Sequence, residues 1–79
     1  MGHMQTLDLS DTLSFLSLLK LKSKLADVKA GDILEVILNN QDTITDLERI
    51  VRRSKDRISQ KIQDKDRFRI RIVKGNTND

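Results

Sequence analysis

The sequence predicts a two-layer α/β (α+β) sandwich of order β-α-β-α-β-β, with a four-stranded mixed sheet and both helices on one face. Three observations carry this expectation. Two segments space their apolar residues as one face of a helix. The run Ile33-Leu34-Glu35-Val36-Ile37-Leu38 has strand length, is rich in β-branched residues and holds a single charge. The last third of the chain alternates apolar and charged residues with a period of two.

Taken in order, Leu7 and Leu9 alternate with Thr6 and Asp8, which predicts a first strand near 5–9 with one buried face. Leu18, Leu21 and Leu25 follow at i, i+3 and i+7, which predicts a helix near 15–26; Phe15, Leu16 and Leu19 widen its stripe beyond one packing surface. Gly31 helps the chain turn into an interior strand near 32–38. Asn39-Asn40-Gln41-Asp42 reads as a polar turn, and Thr45 and Glu48 have capping-box spacing, so a second helix is expected near 45–55, burying Leu47, Ile50, Val51 and Ser54. Ile58 and Ile62 alternate with Ser59 and Lys61, and Phe68, Ile70 and Ile72 with Arg67, Arg69 and Arg71, which predicts an antiparallel hairpin of strands near 57–63 and 67–73.

A chain of 79 residues makes one domain with a thin core, which argues against a deep catalytic cleft. Met1-Gly2-His3-Met4 reads as an expression scar ahead of a native start at Met4, the domain is expected over 5–74, and residues 75–79 are expected to fray. No apolar run reaches membrane-spanning length, so no membrane association is expected and a cytoplasmic address is the default. The chain has no cysteine and its single histidine is His3, which removes disulfides, thiolate chemistry and the usual metal ligands; no metal and no cofactor are expected. Residues 49–74 hold eleven Lys or Arg against three Asp, so positive charge is concentrated in the C-terminal third.

From Leu7 to Leu25 the chain reads Leu-Asp-Leu-Ser-Asp-Thr-Leu-Ser-Phe-Leu-Ser-Leu-Leu-Lys-Leu-Lys-Ser-Lys-Leu, which resembles the opening of the TusA/SirA sulfur-carrier family. The likeness continues through Val28-Lys29-Ala30-Gly31-Asp32-Ile33-Leu34-Glu35-Val36, through Asp42 to Ile50, and in the closing Arg-Ile-Arg-Ile. The resemblance implies a sheet order of 1-2-4-3. It also implies a cysteine at the N-terminus of the first helix that holds a persulfide and passes sulfur to a partner protein. That cysteine position falls on Ser14, and the two prolines of the family's Cys-Pro-x-Pro box fall on Phe15 and Ser17. A serine hydroxyl forms no stable sulfur adduct, and the loss of both prolines with the cysteine reads as natural divergence rather than a single engineered exchange.

Two readings stand for each candidate residue. Ser14 is either a vestigial site residue or an N-cap. Phe15 either adds to the core or joins Leu16 and Leu19 in an exposed docking patch where the family presents its reactive group. Arg67, Arg69 and Arg71, with Lys61 on the neighbouring strand, are either a solvated face or a phosphate-binding basic face. The leading expectation is therefore a monomeric, non-catalytic protein-binding or regulatory module that has lost its sulfur chemistry. The alternative is an RNA-binding protein using the basic face, though with only Phe15 and Phe68 as aromatics its nucleic-acid binding would be weak. A sulfurtransferase is what similarity alone would assign, and it conflicts with the missing thiol.

Overall fold

In a computed structural model, which describes residues 3–75, six elements follow the expected order. They are β1 (Met4–Asp8), α1 (Ser14–Asp27), β2 (Ile33–Leu38), α2 (Gln41–Arg53), β3 (Arg57–Asp64) and β4 (Arg67–Val73). The sheet order is β1-β2-β4-β3, with β1 parallel to β2 and the other pairs antiparallel.

Strand β2 sits centrally because both of its faces are largely apolar. Leu34, Val36 and Leu38 turn to the helices, in register with Ile72, Ile70 and Phe68 of β4. With Leu21 and Leu25 of α1 and Ile44, Leu47 and Val51 of α2 they form one core, completed by Leu9 and Val28 from the loops. Gly31 makes the turn into β2 with φ +89°, a conformation that costs little without a Cβ.

The second helix differs from its expected limits. It starts at Gln41, four residues before the Thr45–Glu48 box, because the Asn40 side chain accepts from the amides of Asp42 (2.8 Å) and Thr43 (3.4 Å) and caps the helix there. The added turn buries Thr43 and Ile44, which the later start leaves out, while Ser54 ends up exposed beyond the last turn. Gly75, assigned to a fraying tail, is held instead: its N–H donates to Asp56 Oδ1 at 2.8 Å. Residues 76–79 lie outside the described residues.

The hairpin carries a larger correction. A β-bulge at Ser59 lets Ile58 pair with Ile72 on the helix side and Gln60 with Arg71 on the open side, which inverts every later position of β3. Ile62, expected beside Ile58 on the buried side, pairs with Arg69 on the open side instead. Lys61 moves the other way, onto the helix side, where its ammonium lies 3.7 Å from Glu48 of α2.

Candidate functional site

The N-terminal end of α1 is built from the loop that leaves β1. Leu9 anchors that loop in the core, its N–H donating to the Ile37 carbonyl at 2.8 Å. Asp8 Oδ1 then accepts from the Ser10 amide (2.9 Å) and hydroxyl (2.6 Å), a local turn that holds the chain as it bends back. The Ser10 hydroxyl and amide bonds hold the Asp8 carboxyl below its ordinary range against an opposing effect of burial, with a lesser contribution from the charge of Arg67.

Helix α1 begins at Ser14, and the capping position falls on Leu13 rather than on Ser14. Leu13 has extended ψ and its carbonyl already accepts the first helical bond, from Ser17 N–H at 2.9 Å, but its side chain offers no acceptor to the free amides of the first turn. Ser17 is buried, and its hydroxyl donates to the same Leu13 carbonyl at 3.1 Å. A serine thus occupies a core-facing position in the first turn of α1.

Around this end the surface is apolar. Phe15 is 67% exposed, Leu13 64%, Leu19 63% and Leu16 37%. The reading of Phe15 as an addition to the core is therefore excluded, and Phe15, Leu16 and Leu19 do lie together on one exposed turn and a half of helix. Leu13, the exposed residue at the cap, went unnoticed because it precedes the expected start of the helix.

The four candidate basic residues do not form one face. Lys61 is on the helix side with Glu48. Arg71 Nε donates to Glu35 Oε2 at 3.1 Å, and Glu35 is buried although it lies on the side of the sheet without helices. Arg67 stands opposite Asp64 in the register and its charge reaches Asp8. The Arg69 side chain, between Ile37 and Ile62 in its row, makes no ion pair or hydrogen bond among the described residues. Lys61 and Arg71, engaged by Glu48 and Glu35, attract phosphate less than unpaired cations do, since each must give up a partner first.

A cavity of about 310 Å³, which sequence reasoning did not anticipate, opens between the second half of α2 and the start of β3, lined by Glu48, Val51, Arg52, Asp56, Arg57 and Ile58. Its acids are already engaged, Glu48 by Lys61 and Asp56 by Ser54 and Gly75.

The family model for the sulfurtransferase TusA matches residues 5–74, nearly the whole of the described chain. The chain belongs to the TusA family. No curated protein and no solved structure matched it. Membership points to a role connected with sulfur transfer, and this TusA-family chain contains no cysteine with which to carry sulfur. Among the described residues, no helix is long and apolar enough to cross a membrane.

Proposed function

We propose that this protein is a non-catalytic, cytoplasmic docking module that retains the partner-binding end of a TusA carrier without its reaction, and that competes with, scaffolds or regulates a true carrier. The observation that supports this most directly is the cluster of Leu13, Phe15, Leu16 and Leu19, left exposed at the helix end where the family pattern places its reactive cysteine. Apolar side chains grouped on a surface mark contacts more often than they occur by chance. The chemistry supports this reading: the chain has no cysteine to carry sulfur, and its one histidine, His3, precedes β1, whereas α1 follows that strand.

The basic-face alternative loses support from the same geometry, since one of its four residues lies on the other side of the sheet and Arg71 is committed to Glu35.

The test uses a cysteine desulfurase, the class of protein that loads a TusA carrier. After incubation with desulfurase and cysteine, the protein should show no gain of a sulfur atom by mass spectrometry, yet should bind the desulfurase or its acceptor proteins in a titration. Phe15→Ser should weaken that binding at least about tenfold, the loss typical of an aromatic anchor, with the fold intact. A stable sulfur adduct, or binding indifferent to Phe15, overturns the reading.

A further inference from the structure

The two edges of the sheet are treated differently. The outer edge of β3 is interrupted by the bulge at Ser59 and carries Arg57, Lys61 and Asp64, the devices by which proteins prevent strand addition. Strand β1, the other edge, has the sequence Met-Gln-Thr-Leu-Asp, with no bulge, no proline, no lysine and a single charge at its last residue. Its hydrogen-bonding pattern shows which groups are left over. Ile33 N–H donates to the His3 carbonyl and Leu9 N–H to the Ile37 carbonyl, so the odd-numbered residues face β2. The N–H and C=O groups of Met4, Thr6 and Asp8 therefore point away from the sheet, and among the described residues none of them has a main-chain partner.

From this we infer that the β1 edge pairs with a second copy of itself, antiparallel about a two-fold axis at Thr6, in place of the monomer that the sequence suggests. The edge is self-complementary in that register. Thr6 meets Thr6, a favourable cross-strand pair, Met4 meets Asp8, and on the helix side Gln5 meets Leu7, so no two like charges are opposed. The three outward residues of each strand supply about six main-chain hydrogen bonds. The occupant is a second copy because the register satisfies both edges at once, as an isologous interface requires.

A pair of five-residue strands alone falls short of the roughly 1,200 Å² that a stable interface buries. The dimer is accordingly weak and reversible. It does not depend on the docking proposal, because it is tested at Thr6, and Phe15 is left untouched.

Sedimentation equilibrium from micromolar to millimolar protein tests the pairing with Thr6→Lys and Thr6→Glu, substitutions at an exposed side chain that leave β2 pairing alone. The natural sequence should form a concentration-dependent dimer. Each variant alone should dissociate at least about tenfold more readily, because two like charges then meet on the axis, and an equimolar mixture should regain the dimer as lysine meets glutamate. A natural sequence that stays monomeric throughout overturns the inference, as does a dimer unmoved by both variants or a mixture that fails to recover.

Discussion

Helix α2 begins under an asparagine cap and sends Thr43, Ile44, Leu47 and Val51 into the core, whereas helix α1 begins under a leucine and leaves Phe15, Leu16 and Leu19 in water. Both helices run from the end of one strand to the start of the next and both face the same side of the sheet, so the difference is not one of topology. It lies in what each N-terminal turn is used for. The first turn of α2 is completed by local hydrogen bonds and burial, which serve stability alone. The first turn of α1 has neither a side-chain cap nor burial for its largest residues, and the free energy that burying them would contribute remains available to a partner.

The largest test of this contrast exchanges matched leucines. Leu47→Ala, at a fully buried position of α2, should cost about 2–5 kcal/mol, enough to unfold much of so small a domain. Leu19→Ala, at a position 63% exposed on α1, should stay within about 0.5 kcal/mol in the same urea titration. A cost for Leu19 comparable with that for Leu47 would place it in the core and remove the basis for the docking patch.

A smaller effect is expected at the two caps. Asn40→Ala removes the acceptor for the amides of Asp42 and Thr43 and should destabilise the fold by about 1 kcal/mol. Leu13→Asp supplies the acceptor that α1 lacks and should stabilise it by up to about 1 kcal/mol, while removing one apolar residue from the patch. Stability that rises as desulfurase binding falls would be the signature of a turn maintained for contact rather than for folding. If Leu13→Asp destabilises, the first turn of α1 is already satisfied and the contrast between the helices fails.

Periodicity carried most of this fold because the core elements are strongly patterned. The run of β2 and the alternation in β4 left no other arrangement of their apolar faces, and the family resemblance supplied the sheet order. What periodicity missed came from single residues that act on hydrogen bonds. Asn40 competes with Thr45 for the helix start, and both are good caps; the choice is decided by Ile44, which needs the extra turn to reach the core. The bulge at Ser59 leaves no mark on composition, yet one unpaired residue transfers Lys61 and Ile62 between faces and separates Lys61 from Arg67, Arg69 and Arg71, which stay together on the open side. The exposed apolar cluster was half legible: the excess of apolar residues on α1 was visible, but whether Phe15 turned in or out depended on how much area the sheet left to cover.

The smallest expected effect concerns the loop that feeds α1. Asp8 does for that loop what Asn40 does for α2, accepting from an amide two residues on, but through a group that titrates. The Ser10 hydroxyl and amide bonds, helped by Arg67, lower the Asp8 pKa in the folded state below the ordinary 3.8. A lowered carboxyl pKa contributes stability that is fully present above 3.8 and is lost as the pH falls from there through the folded value. The contribution is small because Asp8 is largely exposed and solvent screens it. The stability difference between the natural sequence and Asp8→Asn should therefore be greatest near neutrality and shrink below pH 3.8, whereas the difference for Asn40→Ala, an uncharged cap, should not follow this window. A carbon-detected NMR titration of the Asp8 carboxyl reads the group directly. Its midpoint should lie below 3.8 and rise on Ser10→Ala more than on Arg67→Gln, in the order of the causes; a midpoint above 3.8 would show that the loop before α1 is not held by this turn.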